Sequence, residues 1–505
     1  MFTVDDKLSR HYMKQHFGII TILASIKLII QLMGNGNYGY HRDELLHLSA
    51  SEHLDWGYME FPPLIGLIGK ISYLLFDYTL MGTRLFPTLA GVGIVVVCCL
   101  IAKELNANRY GILLAGICVL AFLPFYRNHT LFQPVAFDQL FWTFGFYYII
   151  RYIKTEDYKY LLFTGVTLGV GLMNKYTILV WAFGVLIGMI FHQRAKVFKN
   201  KWWYASGFLA LLIFLPNVIW QIQNNLPILR HLHELSDSQL SQLSLYDFGI
   251  EQLYYPFTLI VSLLGVYHLL NRVSYKPIGI AAITIFCTMW LLQSKPYYVF
   301  GLYPVLFAAG SVSISTYLAP KRRLWHYGIA LIIILPSIPF IPHLTPVLPI
   351  EQYVAYANLE EQDGHIELQG DYSDMFGWDE QVRIIDSLYQ SLSDRDKQNC
   401  VLWAENYGEA GALKILGKKH GLSNPISRHG SFWLWGHGPE NADVWISLGN
   451  ETPSVEHVFE ETELVKILHH KYAIAEEQGI PVYLCRKPKL TIKQWWKDYE
   501  PHIFK

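Results

Sequence analysis

The sequence predicts an all-α polytopic membrane protein of about eleven spans, followed by a C-terminal α/β domain outside the membrane. Three observations predict it. The 505 residues are 52% hydrophobic and only 16% charged, where soluble domains average about 25% charged. Apolar segments of membrane-crossing length recur up to residue 350, with cations gathered in alternate loops between them. After Pro349 the composition turns polar, and short strand-like and helix-like runs alternate.

The spans follow from length, since a helix needs roughly 20 apolar residues to cross a bilayer. Phe17 to Met33 is the first. An acidic loop follows, and Pro63 to Phe76, short and carrying Lys70, reads as a re-entrant or interfacial helix. Further spans are Arg84 to Ala102, Tyr110 to Tyr126, Val135 to Ile153, Tyr160 to Met173, Tyr176 to Phe191 and Trp202 to Ile222. Gln252 to Leu270, Ile278 to Gln293, Tyr297 to Tyr317 and a proline-interrupted Tyr327 to Pro342 complete the set. Met1 to His16 is polar and basic, and the weak cleavage site after the first span predicts an uncleaved helix.

Lys and Arg favour cytoplasmic loops. One set of loops carries about 17 of them, from Lys7, Arg10 and Lys14 through Arg194 to Lys321, Arg322 and Arg323; the alternate set, leaving aside Lys70 in the short helix, carries about five, Arg42, Arg127, Lys175, Arg230 and Lys295. The split places the N-terminus inside, the acidic loop outside and, after eleven spans, the tail outside. The membrane domain is then residues 1–350, with the acidic loop at 34–83, and the soluble domain is 351–505.

In the tail, Cys400 to Ala404, Ser431 to Trp435, Asp443 to Leu448 and Ile480 to Cys485 read as strands. Gly408 to Gly417 and Glu461 to Tyr472 read as helices. Six cysteines are too few for a disulfide framework; Cys400 and Cys485 are the two in the tail and leave a pairing open. A net charge of −1 gives no global basic field for nucleic acid.

Candidate chemistry sits in the loop Tyr38 to Pro63, which holds Asp43, Glu44, Glu52, Asp55 and Glu60 among histidines and aromatics. Carboxylates concentrated between hydrophobic spans point to function. Asp43 and Glu44 point about 100° apart on a helix and do different jobs; the structural alternative for the pair is helix capping. Glu60 precedes Phe61-Pro62-Pro63, where the prolines stiffen the chain. The lone outer cations Arg127, Lys175, Arg230 and Lys295 suit a shared anionic ligand, against the alternative of interfacial snorkelling. For sugar transfer from a lipid phosphate, a carboxylate base takes the acceptor proton and cations stabilise the phosphate leaving group.

These residues resemble a family. H-R-D-E-L-L-H-L, D-W-G-Y-M-E-F-P-P-L and R-L-F-P-T-L-A-G look like the polyprenyl-phosphate-sugar-dependent glycosyltransferases of the GT-C superfamily. The likeness is to the branch related to protein O-mannosyltransferases and the lipid A aminoarabinose transferase. It continues through F-Q-P-V-A-F-D-Q-L-F-W, G-V-G-L-M-N-K-Y and K-P-Y-Y-V-F-G-L-Y-P, and in the tail through A-E-N-Y-G-E-A-G-A-L and G-S-F-W-L-W-G-H-G-P.

The resemblance implies a GT-C-like fold in a bacterial inner membrane. It implies an inverting transfer from a polyprenyl-phosphate-linked sugar to an acceptor lipid, glycan or protein. Asp43 falls at the catalytic base, with Glu44 beside it and Glu60 at a second acidic position. Where the aminoarabinose transferase has Lys after that second acid, this chain has Phe61. Lys295 with Tyr297 and Tyr298 is expected to replace it, and Arg127, Lys175, Arg230, His231 and Tyr40 complete the expected substrate contacts. Tyr38 and Trp56 are further candidates to stack on a sugar. No cofactor is firmly implied; a divalent metal on Glu60 with His231 or His233 stays open, because the aminoarabinose relative holds zinc nearby. A transporter for a lipid-linked anion is the alternative, although the spans show no evident repeat and polar groups cluster at one face.

Overall fold

The computed structural model describes residues 4–193, 196–440 and 442–498; Arg194, one of the cations assigned to inner loops, lies outside them. Every predicted span is a helix or a helix pair. Among the described residues, six helices are long and apolar enough to cross a membrane, seven if a bent pair counts as one. Shorter apolar helices fill the remaining predicted places: Arg109–Ala121, Lys159–Leu172 and Ile178–His192 within spans, and Leu64–Phe76 as the short helix after the loop. Pro134–Thr155 adds a 22-residue helix. All eleven predicted segments are helical, but among the described residues only six or seven of them are long and apolar enough to cross, against the eleven spans expected.

Proline explains the breaks. Tyr110 to Tyr126, expected as one span, stops at Ala121 and restarts at Pro124. Gln252 to Leu270 divides into Leu245–Leu253 and Pro256–Asn271, bent by 102°. Tyr255, before the proline, leaves the helical region at φ −120°, ψ 59°, as the proline ring requires. The carbonyls near the first break are not left bare: Lys27 Nζ donates to Phe125 O at 3.1 Å and Gln31 Nε2 to Tyr126 O at 3.3 Å. A buried lysine in the first span thus satisfies backbone that a bilayer cannot.

Small residues set the helix pairs. Gly265 lies against the Leu306 backbone and Gly310 against that of Val261, joining Pro256–Asn271 to Tyr303–Leu318. Close approach of this kind gains dispersion where no hydrophobic force operates between helices.

The chain forms two compact units: 1–35, 84–222 and 239–347 in the first, and 36–83, 223–238 and 348–505 in the second. The acidic loop is thereby built together with the tail. The tail carries a five-stranded sheet in the order Pro425–Ile426, Cys400–Ala404, Val444–Leu448, Ile480–Pro488, Phe459–Leu468. The first three strands are parallel and the last two pairings antiparallel. Trp403, Trp445, Phe459 and Trp495 pack its core. Cys400 and Cys485 are free thiols with the Val444–Leu448 strand between them.

Two tail expectations are corrected. Ser431–Leu434 is a helical turn, not a strand: Gly430 turns the chain at φ 55°, and the aromatics then spread, Trp433 stacking on Trp496 and Trp435 on His53. Of Glu461 to Tyr472, expected as a helix, the part up to Leu468 belongs to strand Phe459–Leu468, which pairs with Ile480–Pro488, and the rest is loop and turn. The strand's glutamates face water on a sheet edge, and cross-strand pairing overrides their helix propensity.

Candidate active site

The second unit carries the carboxylates. Asp43 sits in the first turn of helix Arg42–Ser51, where the helix dipole favours negative charge. His41 caps the helix, its Nδ1 accepting from Asp43 N at 3.1 Å. Asp43 Oδ1 accepts from the Tyr407 hydroxyl at 2.9 Å. Arg42, beside it, is held in ion pairs with Asp374 and, at 2.8 Å, with Glu476. Burial opposes protonation of His41, but its bond to Asp371 and the charges of Asp43 and Asp374 win, so its pKa is raised.

Glu44 takes the capping role. Its Oε2 accepts from His41 N at 2.9 Å and its side chain is fully buried. The two adjacent acids divide their tasks, Asp43 half-buried at the helix start and Glu44, expected beside the base, closing a capping box, the structural alternative raised for the pair. Tyr40 is likewise committed to the interior: it is 5% exposed and its hydroxyl donates to Tyr78 O at 2.9 Å. Trp56 is exposed, whereas Tyr38 packs on Tyr372 and Phe376.

Glu60 accepts from Ser431 N at 2.8 Å through one carboxylate oxygen and from Ser431 Oγ through the other. Burial raises its pKa, and the Ser431 bonds offset part of the rise. His233 Nδ1 lies 2.8 Å from Asp237, and Arg230 Nε 2.8 Å from Glu234 Oε1, both along helix Pro227–Ser238. His231, on the same helix, is half-buried. Among the described residues, no three His, Cys, Asp or Glu side chains converge as a metal site.

The first unit carries the cations. Lys175 Nζ lies 4.2 Å from the Tyr298 ring centre and 5.5 Å from that of Tyr297. The Arg127 guanidinium is 6.0 Å from the Tyr297 ring centre, and the two tyrosines meet edge-on at 4.8 Å. Burial pushes the Lys175 pKa down to about 8; the nearby charges of Lys295 and Arg127 add to this and Asp138 opposes it. Five expected substrate contacts, Arg127, Lys175, Lys295, Tyr297 and Tyr298, therefore form one cluster, while Arg230 belongs to the other unit.

Asp138 is the member that sequence reasoning missed. It is buried, accepts from Thr177 Oγ1 at 2.8 Å and Trp142 Nε1 at 3.2 Å, and balances Lys175. Its signal was present: a carboxylate at the start of an apolar span is costly unless paired.

Comparisons with known proteins match the chain to a family model over part of its length and to solved structures in fold. Residues 60–220 match the family model for dolichyl-phosphate-mannose-protein mannosyltransferase. ArnT from Cupriavidus metallidurans bound to undecaprenyl phosphate is 12% identical, with 92% of this chain and 98% of that chain covered and a TM-score of 0.62. The same protein in the apo state gives 12% identity, 93% and 98% coverage and 0.62. No curated protein sequence matches the chain. The resemblance read from the ordered motifs is borne out in family model and in fold.

Proposed function

We propose that the protein is an integral-membrane inverting glycosyltransferase. It moves a sugar from a polyprenyl-phosphate donor to a lipid, glycan or protein acceptor at the outer face of a bacterial inner membrane. The observation that carries this reading is the cluster of Arg127, Lys175 and Lys295 beside Tyr297 and Tyr298. Three cations gathered beside two tyrosines, with Asp138 offsetting the charge of Lys175, suit the oxygens of a phosphate group. The orientation rests on the split of about 17 to 5 in loop cations.

In the reaction Asp43 accepts the proton of the acceptor group as that atom bonds to the anomeric carbon. The bond from that carbon to the phosphate oxygen breaks, and its electron pair leaves with the polyprenyl phosphate. The cations stabilise the charge gathering there. An ordinary carboxylate is ionised at pH 7 and ready to act as base.

Asp43→Asn should cut transfer by about 10²–10⁴-fold, the usual loss for a general base. Mass spectrometry of lipids and surface glycans from cells carrying the variant checks it. One sugar should vanish from a glycan while its polyprenyl-phosphate donor accumulates. An unchanged glycan with folded protein in the membrane would refute the assignment.

A further inference from the structure

Two tail motifs have no part in the chemistry above: Ala404 to Leu413, A-E-N-Y-G-E-A-G-A-L, and Gly430 to Gly436, G-S-F-W-L-W-G. Residue by residue, each reads as a device for holding one acid of the loop.

In the first, the Asn406 side chain accepts from Gly408 N at 2.8 Å and Glu409 N at 3.0 Å, capping helix Tyr407–Ile415. Glu409 Oε2 returns the favour, accepting from Glu405 N at 2.8 Å and Asn406 N at 3.3 Å. This box fixes the first turn and so the place of Tyr407. The missing side chains matter as much. A Cβ at Gly411 would stand 2.8 Å from that of Leu45, and one at Gly408 would stand 3.1 Å from that of Arg42. The tail helix thereby lies close against the loop helix, and the Tyr407 hydroxyl reaches Asp43. The Tyr407 ring meets His429 edge-on at 4.8 Å. Burial, and then the Asp43 charge, raise the Tyr407 pKa well above its ordinary value, so the phenol stays protonated and donates.

In the second motif, Ser431 donates to Glu60 through both its backbone and its hydroxyl, and its hydroxyl accepts from Met59 N at 3.0 Å. Trp435 stacks on His53 at 4.4 Å, fastening the same stretch of loop.

We propose that the tail completes the acidic site, with Tyr407 as a positioning residue for Asp43 and Ser431 as one for Glu60. The proposal rests on the reading of Asp43 as the base. A donor on a carboxylate favours its ionised form and fixes the direction in which it receives a proton. The tail is then part of the catalytic apparatus, not a cover over it.

The test uses the full-length chain in membrane vesicles from its own cells, with their endogenous lipid-linked donor and acceptor. Product is followed by mass spectrometry across pH for wild type, Tyr407→Phe, Asp43→Asn and the double variant. Tyr407→Phe removes one hydroxyl and should slow transfer roughly ten- to a hundredfold, the loss expected for a hydrogen bond to a charged group. The acid limb of its pH profile should move to higher pH, and the substitution should cost nothing further in the Asp43→Asn background. If Asp43→Asn retains the wild-type rate, the base assignment itself fails. If Asp43→Asn loses the rate but Tyr407→Phe keeps the wild-type rate and pH profile, positioning alone is overturned. A slowed Tyr407→Phe with an unmoved pH profile also overturns it, since that would be loss of packing.

Discussion

Glu60 shows how a single residue can be held at a cost to the fold. Its pKa is raised by burial, against an unfolded value of about 4.3. Between the two values the folded state keeps a proton that the unfolded chain has lost. Stability therefore falls as pH rises through that window, and the penalty remains above it. Glu60→Gln preserves both Ser431 contacts, its amide oxygen accepting from the backbone N–H and its amide nitrogen donating to Oγ. Thermal unfolding in detergent should give an equal or higher Tm for Glu60→Gln at pH 7, with the gap closing toward pH 4, while transfer falls. A clear loss of Tm at pH 7 would show that the charge stabilises the fold. At this scale the sequence brought out residues that the structure gathers: Arg127, Lys175 and Lys295 fall beside Tyr297 and Tyr298. It spoke poorly for Glu44 and Tyr40, because capping and burial depend on helix start and packing that no local pattern displays. Asp138 was lost for the opposite reason, as a span was read for its apolar residues alone.

Secondary-structure elements obey their breakers more faithfully than their propensities. Prolines at 124 and 256 stop or bend the helices where steric exclusion demands it, and these breaks were visible in the sequence as prolines without being used as breaks. The glutamates of 459–468 suggested a helix because the partner strand, 480–488, is what makes them a strand. Gly430 governs the other misread element. Its φ of 55° suits glycine, and a Cβ there would collide with the Glu60 carboxylate. Gly430→Ala should therefore displace Glu60 and destabilise the turn, by about 1–3 kcal/mol for a residue forced into an unfavourable backbone region. The expected outcome is a lowered Tm, with transfer falling more than in Ser431→Ala, where only hydrogen bonds are lost. Equal Tm in wild type and Gly430→Ala would mean that the turn yields without strain.

Across the whole molecule, the membrane segments were legible because apolar length and charge bias are physical requirements of a bilayer. The partition into units was not, because 36–83 joins 348–505 through contacts far apart in sequence. The loop contributes buried Leu45, Leu46, Leu48, Met59 and Phe61 to that unit. Residues 348–505 produced alone should thus expose an apolar face, bind a hydrophobic dye and unfold without a sharp transition in calorimetry. A soluble fragment with a cooperative transition would show that the tail's core is sufficient without the loop. The likeness in fold to ArnT covers 92% of this chain, more than the membrane segments alone account for.

The three-segment second unit also sets a clock. The loop is complete once residue 83 is added, and its partner begins only at 348. At roughly 5–20 residues per second of synthesis, that interval lasts between about ten seconds and a minute. Throughout it Asp43 has no Tyr407 and Glu60 no Ser431. A chain cut short anywhere before the tail carries the acids without their holders, so premature termination would yield a membrane protein whose Asp43 and Glu60 are left unpositioned.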